Sequence, residues 1–133
     1  MHIFWENDLN KIPFISETAY WGLAKTTGFI SVGENGIGIE YQISDNVIDI
    51  YKSDVKEVEI PYDIIQNIKF KKGWFFGGKL IIELNSIKNL GRIPLLEETE
   101  IKVKIRRKNR ESARLFAVSS QLELSTSKLN KLS

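Results

Sequence analysis

The sequence predicts a mainly β fold with one C-terminal α-helix, and three observations carry that prediction. Between Phe29 and Arg107, short apolar runs alternate with polar residues at a period of two, the repeat of a strand with one face buried. Gly, Asn, Pro and Ser clusters break these runs into about seven strands, with no helical pattern between them. After Asn109 the period changes: Ala113, Phe116, Ala117, Ser120 and Leu124 fall on one stripe at spacings of three and four. A chain of 133 residues is one ordinary domain, long enough to bury a core. It divides into an N-terminal segment over 1–26, a body over 27–124 and a polar tail over 125–133 expected to fray.

Each element has its own signal. Phe4, Trp5, Phe14, Tyr20 and Trp21 make the first 25 residues aromatic, and such a cluster is expected to lie against the body. Ser16 can cap a short helix over Glu17–Lys25, and a strand through Ala19–Ala24 is the alternative. Phe29–Val32 and Ile37–Ile43 read as a hairpin around Asn35-Gly36, the dipeptide that best tolerates positive φ. Ile37, Ile39, Tyr41 and Ile43 take its inner face. A turn at Ser44–Asn46 leads to a strand over Val47–Tyr51, and a polar connection over Lys52–Lys56 to Val58–Ile60. Ile65–Lys71, with Ile68 and Phe70 inward, and Lys79–Asn85 flank the turn Gly73-Trp-Phe-Phe-Gly-Gly78. Ser86–Glu98, holding Gly91 and Pro94, reads as a long loop with room for a short strand. Glu100–Arg107 alternates again, with Ile101, Val103 and Ile105 inward, and Asn109 can cap a helix over Arg110–Leu124.

Composition narrows the function. The net charge of +2 hides an asymmetry: 4 Lys+Arg against 11 Asp+Glu up to Ile68, then 15 against 6 from Lys69 onward. Either the halves interleave on one surface, or the basic half meets an anionic partner or the acidic half of another copy. Cysteine is absent, which removes disulfides and thiolate zinc sites and suits a cytoplasmic protein. Met1–Glu6 lacks the basic region and apolar run of a signal peptide, and no run of about 18 apolar residues exists to span a membrane. His2 is the only histidine, so a His-based triad or metal centre has little support. Asp45, Asp49, Asp54, Glu57 and Glu59 are scattered without EF-hand spacing. No metal or other cofactor is expected, and the chain is read as non-enzymatic. A large apolar cavity with convergent polar groups would reopen the enzymatic alternative.

Ile60-Pro61 followed by Ile65 and Ile68 resembles the I-P-x-x-x-I-x-x-I/V strand of bacterial pleckstrin-homology-like (GRAM-like) domains. The apolar strand after the Gly-containing turn, and the strands-then-helix order over Thr27–Leu124, are similar to that family too. The resemblance implies a barrel of about seven antiparallel strands capped by a helix. It also implies a binding or assembly module for a protein or peptide, or for self-association, with homo-oligomers among the relatives. The contact surfaces it suggests are a strand edge and the groove beside the helix. Phosphoinositide-binding members place Lys and Arg around the first hairpin. Gly33-Glu34-Asn35-Gly36 has none, which argues against that mode of recognition.

Two stretches are candidate sites. Gly73–Lys79 matches G-x-x-x-x-G-K, but Leu80 stands where a phosphate loop needs Ser or Thr, and a strand follows where it needs a helix. Nucleotide is therefore not expected. Lys69, Lys71, Lys72 and Lys79 surround Trp74, Phe75 and Phe76, a grouping suited to an anionic membrane surface. The simpler expectation is that two of the three rings fold back into the core. Arg106, Arg107, Lys108, Arg110 and Arg114 cluster where the last strand enters the helix, a position that fits an acidic partner or a solvated edge. No nucleic-acid reading motif accompanies them, and nucleic acid is not expected.

Overall fold

The structure, a computed structural model, describes residues 11–16, 24–45, 54–88, 90–91 and 93–132. Among these are eight strands: β1 (Lys11–Ser16), β2 (Ala24–Val32), β3 (Gly36–Asp45), β4 (Lys56–Pro61), β5 (Ile65–Lys72), β6 (Gly78–Leu84), β7 (Leu96–Glu97) and β8 (Glu100–Ile105). One helix, α1 (Arg110–Leu132), follows them. The mainly β class with a single C-terminal helix is the one the periodicity predicts. The strand order is β4-β3-β2-β1-β8-β6-β5, with β7 beside β8 and every pairing antiparallel.

The expected barrel does not close. The sheet is curled, β4 and β5 remain its two edges, and a single residue pair, Ile15↔Lys104, joins β1 to β8. Helix α1 lies chiefly over the β5 edge and reaches β1, β2 and β6. Its Ala113, Phe116, Ala117, Ser120 and Leu124 are buried, as their spacing predicts. They meet a core that includes Ile30, Ile37, Ile39, Ile60, Ile65, Leu80, Ile82, Ile101, Val103 and Ile105, all essentially inaccessible to water.

Some expectations need amendment. Lys11–Ser16 is a strand, with Ile12, Phe14 and Ser16 inward; Pro13 is tolerated because its neighbours Ile12 and Phe14 still pair across to Ile30 and Gly28. Ser16 therefore ends a strand, and Ala24-Lys25 opens β2. The rest of the proposed Glu17–Lys25 helix or Ala19–Ala24 strand lies outside the described residues, as do Phe4, Trp5, Tyr20, Trp21 and the strand expected over Val47–Tyr51. The connection after β6 is the expected long loop with its short strand, β7, and within it Ile93 and Leu95 drop into the core. The helix does not stop at Leu124 but runs to Leu132.

The Ile60-Pro61-Tyr62 stretch forms a buttressed corner. β4 ends at Pro61, and a 3-10 turn over Tyr62–Ile64 swings the chain into β5. Tyr62 is 2% exposed; its hydroxyl donates to the Gly33 carbonyl at 2.6 Å and its N–H to the Asn35 carbonyl at 3.2 Å, tying this corner to the β2–β3 turn. Burial, aided by the negative charges of Glu123 and Glu59, pushes the phenol up to about 12. The neutral phenol is thus favoured by folding. Its contribution is complete below pH 10, where the unfolded phenol is also neutral, and is lost as the pH rises from about 10 through about 12. Two units correspond to about 2–3 kcal/mol. Tyr62→Phe is expected to flatten this alkaline loss while costing about 1 kcal/mol at neutral pH for the lost hydrogen bond. Urea midpoints of both proteins at pH 8 and pH 11 check it.

Candidate functional site

Strands β5 and β6 pair from Ile65↔Leu84 to Lys72↔Gly78, and Gly73–Gly77 bridge them as a projecting tip. Glycine is required on its return side. A Cβ on Gly77 would stand 2.3 Å from the Arg106 carbonyl oxygen and 2.5 Å from that of Ile105, so the tip backbone is pressed against the end of β8. Gly78 has φ +148°, and a Cβ there would strike the Phe70 ring at 2.6 Å.

From the first residue of α1, Arg110 reaches back into this turn. Its Nε donates to the Gly77 carbonyl at 3.1 Å, and its Nη2 to those of Phe76 at 3.1 Å and Gly73 at 3.4 Å. One guanidinium holds three carbonyls of the turn, of which that of Gly77 also accepts the Gly73 N–H at 3.3 Å. Arg110 was expected among the binding cations; its geometry makes it the clasp of the tip.

The three rings divide differently from the expectation that two fold back. Phe76 alone turns in: its ring packs against Gly73 and lies 5.5 Å from the Lys104 ammonium, within cation–π range. Trp74 is 89% and Phe75 94% exposed. The reason is space, because β8 and the Arg110 guanidinium already fill the underside of the turn.

The lysines gain a pattern that the linear sequence hides. Lys71 pairs with Lys79 and Lys79 with Lys104, so three ammonium groups lie side by side across β5, β6 and β8, all exposed. Like charges directly opposite one another destabilise a sheet. Lys72, Arg106, Arg107 and Lys108 are exposed as well. Lys72, Arg107 and Arg110 line a cleft of about 420 Å³ with Gly73 and Trp74. No ion pair among the described residues involves Lys71, Lys72, Lys79, Arg106, Arg107 or Lys108. Lys69 stands apart, paired with Glu83 at 3.5 Å; Asn67 and Lys69 together hold that carboxyl below its usual range. Arg114 is likewise engaged with Glu111, its Nε 3.1 Å from the carboxylate. Lys104 is the member that sequence reasoning missed, since it enters the site only through strand register.

Two other concavities frame the alternatives. A groove of about 590 Å³ runs between the β5 edge and α1, floored by Ile68 and Phe70 and walled by Ala117, Val118 and Leu122. Across it the Ile68 N–H donates to Gln121 Oε1 at 3.0 Å. A cleft of about 360 Å³ opens near Phe14, Phe29, Tyr41 and Val55, with Glu40, Arg106 and Asn109 at its lining. Glu40 is paired with Lys11 at 2.6 Å, whereas the buried Asn109 Nδ2 has no partner among the described residues. No cluster of His, Asp or Glu able to hold a metal occurs among the described residues. The turn before Lys79 leads into β6, so no helix N-terminus faces it. No described helix is long and apolar enough to cross a membrane. No family model matches the chain, and searches of curated proteins and of solved structures found no match either.

Proposed function

We propose that this chain is a non-enzymatic binding module, similar in plan to pleckstrin-homology-like domains, that docks on anionic membrane surfaces through its β5–β6 tip. The observation that carries this reading is the near-complete exposure of Trp74 and Phe75 beside Lys71, Lys72 and Lys79, which form no ion pair among the described residues. Two large rings held in water at the end of a hairpin are costly unless something covers them. In the interfacial layer of a bilayer, rings of this kind sit at headgroup level. The Lys71–Lys79–Lys104 row and Lys72, Arg106, Arg107 and Lys108 lie around the same end and supply the long-range attraction, about 1 kcal/mol for each cation near an anionic leaflet. The Lys72–Arg107–Arg110 cleft suits a phosphate or carboxylate headgroup beside the inserted Trp74.

Co-sedimentation with vesicles tests the proposal. Vesicles containing phosphatidylserine are expected to retain the protein at low salt and to release much of it at high salt, because exposed charges are screened within about 8 Å at physiological ionic strength. Neutral phosphatidylcholine vesicles are expected to bind it weakly. Failure to co-sediment with the anionic vesicles at low salt would remove the reading.

A second reading, a protein or peptide partner, has its own support: the outer edge of β5 is unpaired in the sheet and borders the apolar groove beside α1. An extended segment could add there as a further strand.

A further inference from the structure

Helix α1 carries a second apolar stripe that the core does not use. Leu115, Val118, Leu122, Ser125, Leu129 and Leu132 follow one another at spacings of 3-4-3-4-3, the seam of a two-stranded coil. The five large members are 51%, 59%, 65%, 66% and 84% exposed in that order. At about 100° per residue, this stripe lies across the helix from the buried Ala113, Phe116, Ala117, Ser120 and Leu124. The core therefore explains one face of α1 and leaves the other bare.

The last two turns sharpen the point. Beyond Leu124 the helix continues to Leu132 through Ser125-Thr126-Ser127, residues that favour a helix weakly. No described residue there is buried, and the one described ion pair joins Lys131 to Asp63. Short helical overhangs gain their stability from packing of an apolar face.

We infer that a second copy of this chain packs antiparallel along this stripe, forming a two-fold dimer. A heptad seam is self-complementary, and a two-fold axis presents the same residues from both sides. In an antiparallel pair the stripe from Leu115 to Leu132 overlaps its copy over 18 residues, about 27 Å, or five helical turns. Charge sets the direction. A parallel pair would bring two corners rich in Arg106, Arg107, Lys108 and Arg110 together. An antiparallel pair separates them by about 40 Å, some five screening lengths, and aligns the helix dipoles favourably. In that register Leu115 meets Leu132 of the second copy, Val118 meets Leu129, and Leu122 meets Ser125. On the margins Gln121 faces Lys128 and Ser119 faces Thr126, so no like charges oppose.

The inference is independent of the tip, and its test is the oligomeric state of the full chain. Light scattering coupled to size exclusion is expected to find a dimer at concentrations up to about a hundred micromolar. Leu122→Glu and Leu129→Glu are each expected to raise the dissociation constant at least tenfold, with far-UV circular dichroism changed only by fraying of the last two turns and a melting temperature that no longer rises with protein concentration. The absence of cysteine allows a second arm that needs no disruptive change. A mixture of Leu115→Cys and Leu132→Cys proteins is expected to form a mixed disulfide dimer, whereas Leu132→Cys alone is expected to form none. A wild-type monomer throughout this range, or efficient self-crosslinking of Leu132→Cys, overturns the inference. Retention of anionic-vesicle binding by a monomeric Leu122→Glu protein separates it from the membrane reading.

Discussion

Replacing Trp74 and Phe75 together by serine is expected to weaken binding to phosphatidylserine vesicles by about a hundredfold and to leave the melting temperature unchanged. The asymmetry follows from where the rings are. At 89% and 94% exposure they bury almost nothing in the folded chain, so their removal has little core packing to disrupt. In an interfacial layer each ring would withdraw part of its surface from water. At the usual value for apolar burial the two would contribute about 3 kcal/mol, which is about two decades in affinity. Phe76→Ser is the internal contrast. Its ring packs under Lys104 and against Gly73, so it is expected to lower the melting temperature as well. Equal vesicle affinity for the double variant and the parent would mean that the lysines act alone and that the tip is not inserted.

Gly77→Ala is expected to be among the most destabilising single changes, at about 3 kcal/mol or more, seen as a fall of roughly 10 °C in melting temperature. The added methyl would meet the backbone oxygens of Arg106 and Ile105, at the end of β8, at 2.3 and 2.5 Å, and backbone cannot step aside as a flexible side chain can. Relief requires the tip to lift from β8, which also breaks the reach of Arg110 to the carbonyls of Gly73, Phe76 and Gly77. Arg110→Ala removes the clasp without the collision and is expected to cost about 1–2 kcal/mol, since water can take over part of three carbonyls near the surface. Both variants are expected to lose vesicle binding, as a tip without its clasp no longer holds Trp74 and Phe75 outward. Thermal melts followed by circular dichroism, beside co-sedimentation, separate the two. A Gly77→Ala protein that melts with the parent would show that the β8 contact is looser than these distances require.

Much of this arrangement is legible in the chain because it depends on local periodicity. The alternation Ile37, Ile39, Tyr41 and the stripe Ala113–Leu124 each report a buried face directly. Pairing across long separations is different. The Lys71–Lys79–Lys104 row exists only because β6 lies between β5 and β8 in one register, and a shift of one residue would send Lys79 to the other face. Nothing near Lys104 in sequence announces that neighbourhood. The open sheet escaped for a similar reason, since closure is decided by whether β4 meets β5, and the Tyr62 corner turns them apart. Ile93 and Leu95 were hidden by their setting, because Gly91 and Pro94 mark irregular backbone whether or not its side chains are buried. At the candidate site, the aromatic and basic composition of 69–79 reads from the chain. The direction of each ring does not, as it depends on an arginine more than thirty residues away.

The outward Trp74 also makes the protein its own optical probe. An indole that stands almost wholly in water fluoresces toward the red and is open to collisional quenchers, whereas one drawn among lipid chains shifts to the blue and is shielded. The emission lost on Trp74→Phe isolates this ring from Trp5 and Trp21, so its surroundings can be followed in the unmodified chain, without a dye and on the timescale of mixing.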